Sequence, residues 1–233
     1  MRKRKLNKII FLVLPVLLLS CNQTTEEHYT KSIELAKEKE HKAAIEELDK
    51  VIEMKPDFAQ AYLDRGNYRM ANQDYSEAEG DTNYLNKIFE LEIKDFTKAI
   101  ELDPNLKIEA LRGRAFAFYN LQNYKNASGD YSAILKEDST KKDMVRMLAW
   151  CHIKLADTLS AKILLDRMIE VEPDNAENYY NRAFQRLMAF KDKTGACEDL
   201  EKAATLYDPE EYYTIFTLNE QIEKLMGINC PKK

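Results

Sequence analysis

The sequence predicts an all-α chain of stacked helical hairpins. Its 233 residues hold only six Gly and six Pro. That favours long helices with short connections, and no alternating Val/Ile/Thr-rich runs read as strands. Small residues recur at Ser32, Gly66, Ala115, Ala149 and Ala183, in steps of 34, 49, 34 and 34. A short phrase also recurs, as KVIEMKPDF at 50–58, KAIELDPNL at 98–106 and RMIEVEPDN at 167–175. A fixed period in this range signals a solenoid, in which each unit buries its apolar face against the next.

Taken in order, residues 1–20 stand outside that fold. A basic stretch, MRKRKLNK, precedes the apolar run IIFLVLPVLLLS, which is short for a membrane span. The sequence then reads LLSC, ending at Cys21. This resembles the lipobox of bacterial lipoproteins, which implies cleavage before Cys21 and acylation of its sulfur. An ordinary signal peptide or an uncleaved anchor would carry the same basic and apolar runs. Asn22 follows rather than Asp, so the resemblance implies the outer membrane of a bacterial envelope. Residues 21–27 would then be a lipidated cysteine and a short linker that holds the fold near the bilayer.

The leader contains five basic residues, Arg2, Lys3, Arg4, Lys5 and Lys8, and no acid, so its loss takes the formal charge from −5 to −10. A chain this acidic is a poor electrostatic footprint for nucleic acid.

Within 28–206 the units share one grammar. A second small residue follows each first one, at Ala44, Ala78, Ala127, Ala161 and Ala196. A large apolar residue comes four positions later at Leu48, Tyr131, Leu165 and Leu200, a role that falls to Phe96 in the second unit. Three positions on lie Val51, Ala99, Ile134, Met168 and Ala203. Small residues facing across a hairpin let two helices approach, and the large one fills the groove beside them. Pro56, Pro104 and Pro173 end the second helices and turn the chain.

The segments AYLDRGNYRMANQDYSEA (61–78), LRGRAFAFYNLQNYKNASGDYSAIL (111–135) and YYNRAFQRLMAFKDKTGACEDLEKAATL (179–206) resemble the tetratricopeptide repeat (TPR) family. The resemblance implies a right-handed superhelical solenoid of about five hairpins. Four departures stand out. Unit one has Lys31 and Ser32 where larger residues are usual. Unit three ends at Ser139 instead of proline. Unit five has one extra residue before Gly195–Ala196. Unit two has about fourteen extra residues, near 79–92. The stripe Leu85, Phe89, Ile93, Phe96, Ile100 reads that insert as an extension of the second helix, capped by Asp81 or Thr82 and adding about 20 Å. Residues 207–233 supply a capping helix and tail, with an apolar stripe at Ile215, Leu218, Ile222 and Leu225 and a stop at Gly227.

Candidate chemistry is sparse. His28, His41 and His152 form no metal-ligand pair, and no phosphate loop, nucleophile elbow or HExxH run occurs. No enzyme activity, cofactor or metal is expected. Cys151 reads as a buried thiol. Cys197 and Cys230 can bridge a helix to the tail or remain two free thiols.

The TPR resemblance places the first helices along an inner groove. The matching ladders are Arg112, Arg146 and Tyr180, and Phe116, Trp150 and Phe184, with Tyr119 one turn beyond Phe116. Arginine forks and rigid aromatics are favoured anchors for a peptide with an acidic group and apolar side chains. The arginines can instead be neutralised by Glu109 and Asp143, and the aromatics can be core. The expected function is a membrane-anchored scaffold that binds a protein or peptide in its envelope. A glycan stacked on the Trp150 ladder is the alternative.

Overall fold

The computed structural model describes residues 24–72, 81–207 and 216–230. The leader, Cys21, Ala78 and Ile215 lie outside them. Eleven α-helices run through the described residues, with no strand among them. They are α1 (Thr25–Lys37), α2 (His41–Met54), α3 (Ala59–Ala71), α4 (Thr82–Leu102), α5 (Lys107–Asn120), α6 (Tyr124–Glu137), α7 (Lys142–Lys154), α8 (Thr158–Val171), α9 (Ala176–Gln185), α10 (Lys193–Leu206) and α11 (Phe216–Asn229). Consecutive pairs form five hairpins, each packed on the next, and α11 closes the end against α10.

The turns inside hairpins 1, 3, 4 and 5 share one geometry. Lys39, Gln122, Ala156 and Lys191 sit at φ between 57° and 65°. The residue after each donates its N–H back to the carbonyl of Leu35, Phe118, His152 or Arg186. This left-handed stop satisfies carbonyls that the helix end would orphan. Asn123, Asp157 and Asp192 then cap the second helices, each accepting the backbone N–H three residues on.

The small-residue seam is tightest around Phe96. A Cβ added at Gly66 would stand 2.7 Å from its ring, and one at Gly113 would stand 2.4 Å away. Phe96 is therefore clamped between α3 and α5, and two glycines make room for it. Four residues before Phe96, where the other hairpins carry Ala44, Ala127, Ala161 and Ala196, stands the fully buried Glu92. The insert supplies α4 with 21 residues where α2, α6 and α8 have 14, starting from an Asp81 cap. The helix thus takes up about half of the extra length.

One expectation is revised and two departures are explained. Gly227 does not end α11, which continues to Asn229. Nothing crowds Gly227, and the Cys197–Cys230 disulfide follows directly on the last turn. The turn at Ser139 is held without proline. Asp138 accepts from the Thr140 N–H and hydroxyl, and Arg167 Nη2 donates to the Ser139 carbonyl. The extra residue of unit five is absorbed in a π turn over Arg186–Phe190. Accordingly Lys191 lies eight residues after its small residue, where Lys39, Gln122 and Ala156 lie seven after theirs.

A second ladder joins the two helices of each hairpin. Lys31 bonds Glu47, Arg65 bonds Asp95, Arg114 bonds Asp130 and Arg182 bonds Asp199, the last three as two-pronged forks. Hairpin 4 has Leu148 and Leu164 at these positions, both buried. Burial pushes the Glu47 carboxyl up, but hydrogen bonds from Lys31, His28 and Lys50 outweigh it and hold the pKa at about 2.

Candidate functional site

Helices α3, α5 and α7 line two adjoining recesses. The larger, of about 570 Å³, lies between hairpins 3 and 4 and is walled by Asn105, Ile108, Glu109, Arg112, Lys141, Asp143 and Met144. The smaller, of about 240 Å³, runs on toward α3 through Asn67, Met70, Phe116 and Met147. Glu109, Arg112 and Met144 border both, so the two form one groove. Its floor is methionine and aromatic, and its walls alternate acid and base. Thioethers adapt to irregular apolar shapes, and a guanidinium fork matches carboxylates.

Arg112 is exposed and enters no ion pair among the described residues. Its expected neutraliser, Glu109, instead accepts from Asn67 Nδ2 at 3.3 Å. Arg146 also avoids its expected partner. It turns away from Asp143 toward Glu172, 3.9 Å away, which also meets Lys142. The reason is register: Glu172 caps the end of α8 and faces the start of α7 across the hairpin.

The aromatic ladder does not form one platform. Phe116 lines the smaller recess. Tyr119 meets Tyr124 edge-on at 5.2 Å and packs on the main core, and burial raises its pKa. Tyr180 stacks on Phe184 at 6.5 Å. Trp150 is half-buried on α7 and borders neither recess. Of the seven residues the sequence proposed for the inner face, Arg112 and Phe116 are brought together. Met70, Met144, Met147, Asn105 and Lys141 were missed. For Lys141, Met144 and Met147 the signal was the stretch KKDMVRMLAW, where core and groove residues interleave.

Burial raises the Cys151 thiol to about 11, as befits a core residue. Cys197 and Cys230 are bonded, with Cα atoms 5.6 Å apart. Among the described residues no three His, Cys, Asp or Glu side chains group as a metal site would require. No described helix is long and apolar enough to cross a membrane.

A tetratricopeptide repeat family profile matches residues 28–58. DnaJ homolog subfamily C member 3 of Gallus gallus is 25% identical over 186 residues, covering 79% of this chain and 36% of that protein. Its Homo sapiens counterpart is 27% identical over 139 residues, covering 60% and 28%. The chain thus spans about a third of the length of these relatives. Among solved structures, MamA superposes with a TM-score of 0.68 at 14% identity, covering 83% of this chain and 97% of MamA. YrrB, described as a TPR protein with an unusual peptide-binding site, gives 0.67 at 15% identity, covering 86% and 92%. The fold is that of the TPR solenoids.

Proposed function

We propose that the chain is a helical scaffold that carries no catalysis of its own and holds a protein or peptide segment in the groove at Arg112. The observation that carries this reading is an exposed arginine without an ion-pair partner among the described residues, set in a recess floored by methionines and Phe116. A segment with an acidic side chain and apolar neighbours complements that surface. YrrB, of the same fold, is described with a peptide-binding site, which supports the reading by analogy of fold. Trp150 borders neither recess of the groove, which counts against a glycan stacked on it there. The lipobox-like LLSC further suggests anchoring through acylated Cys21 in a bacterial envelope, at the outer membrane.

Photocrosslinking tests the groove. A benzophenone amino acid at Lys141, inside the groove, should capture a discrete protein in intact cells, and Arg112→Glu should abolish the adduct. The same probe at Lys125, on an exposed face of α6, should not capture it. Equal capture from both positions, or capture unaffected by Arg112→Glu, would remove the groove assignment. Metabolic labelling with a fatty acid tests the anchor: label must appear and must vanish in Cys21→Ser.

A further inference from the structure

The π turn opens a second site, away from the groove. Between hairpins 4 and 5 lies a cavity of about 270 Å³ walled by Ile153, Ala156, Ala161, Ala189 and Phe190. Thr158 and Gln185 also line it. In hairpins 2, 3 and 4 the residues matching Gln185 are Tyr68, Ala117 and Cys151. Gln185 is 4% exposed, yet no hydrogen bond reaches its side chain among the described residues. Its carboxamide is not sealed from solvent, unlike the partnerless side-chain atoms of His41 and Asn181, so its donor and acceptor stay reachable from the cavity. The wall that bears it is distorted by the inserted residue, and π turns recur at functional sites.

The chemistry narrows the occupant. Apolar walls of this volume hold one large aliphatic or aromatic side chain. A carboxamide offers a donor and an acceptor together, which is the complement of a peptide group. Leu155 and Met188, adjacent in sequence to Ala156 and Ala189, are exposed by 43% and 49%. Apolar surface therefore continues beyond the cavity, as a chain running out of it would need. On α8 the departure extends further: Leu159 and Ile163 are exposed by 70% and 59%. The other second helices carry Lys42 and Glu46, Glu90 and Lys94, Lys125 and Gly129, or Thr194 and Glu198 there. We propose that this cavity seats one apolar side chain of a partner polypeptide, while the Gln185 carboxamide hydrogen-bonds the peptide group beside it.

The groove at Arg112 shares no residue with this cavity, so either site can fail alone. The test titrates N-acetyl-phenylalanine methylamide, and toluene as an amide-free control, into the full chain with labelled Ile and Ala methyl groups. Saturable shifts at Ile153 and Ala189 are expected below a concentration on the order of 10 mM. Gln185→Leu should weaken the amide about tenfold and leave toluene within about twofold, the difference of one hydrogen bond. Ala189→Trp, at an exposed wall position, should remove both, and Arg112→Glu should change neither. Absence of saturable shifts, or amide affinity unchanged in Gln185→Leu, would overturn the proposal.

Discussion

Deleting one carboxylate from the interior ladder should cost far more than deleting the whole pair. In hairpin 3, Arg114 Nε and Nη2 each meet Asp130 at 2.8 Å. The side chains are 21% and 12% exposed, so water screens the pair only in part. Asp130→Ala leaves the guanidinium buried with the Thr97 hydroxyl, at 3.1 Å, as its remaining hydrogen-bond partner. Loss of one member of a buried pair costs about 3–5 kcal/mol, and the partial exposure of Arg114 places this case near the lower end, at about 3 kcal/mol. The double change Arg114→Leu with Asp130→Leu copies what hairpin 4 already carries at Leu148 and Leu164. It should return to within about 1 kcal/mol of the parent, because both desolvation costs vanish together. Urea unfolding followed by circular dichroism measures all three chains, with the slope checked for constancy because repeat arrays lose cooperativity. A single mutant within about 0.5 kcal/mol of the parent, or a double mutant no better than the single, would refute the reasoning.

Other expectations follow from the same geometry. The Glu47 pKa falls from an ordinary 4.5 to about 2 in the folded chain. Its contribution is therefore complete above pH 4.5 and lost as pH falls toward 2, by about 2–3 kcal/mol after screening by its half-exposed lysines. Glu47→Gln should flatten that limb of the acid titration. Gln122→Gly, at φ 58°, should raise stability by about 0.5–1 kcal/mol in thermal unfolding, since glycine accepts the left-handed turn without strain. Gly113→Ala drives a methyl into the Phe96 ring and should destabilise by about 1–3 kcal/mol, and Phe96→Leu on that background should recover part of the loss. Reducing the Cys197–Cys230 bond should speed amide exchange across residues 220–229 while α5–α8 keep their protection.

The hairpins were legible in the sequence because packing of small against large residues writes itself as a 34-residue period. Ser32, Ala115, Ala149 and Ala183 are buried where that period puts them. The ion-pair ladder follows the same register, with Lys31, Arg65, Arg114 and Arg182 each one residue before the small residue, and hairpin 4 breaks it at Leu148. It went unread because charged residues on helices default to solvent, and only the fold shows that Asp95, Asp130 and Asp199 face inward. The groove was harder. Arg112 and Arg146 are equivalent by spacing, yet among the described residues one enters no ion pair while the other meets Glu172, a residue 26 positions away that local pairing rules do not reach.

Repeats also act as each other's controls, and hairpins 4 and 5 carry several departures from the shared pattern in addition to the long insert of hairpin 2. Hairpin 4 replaces the interior ion pair by Leu148 and Leu164, exposes Leu159 and Ile163, contributes Met144 and Met147 to the groove, and forms one wall of the second cavity. Hairpin 5 supplies the other wall through the extra residue and the buried Gln185. Stability alone would not select the exposed Leu159 and Ile163 beside a cavity lined by Gln185. Exposed leucine and isoleucine on a second helix lower solubility, and hairpins 1, 2, 3 and 5 carry polar residues or glycine at the matching positions. Exposed apolar residues cost solubility without helping the fold, which makes hairpins 4 and 5, beside the groove at Arg112, the surfaces to test first for a partner.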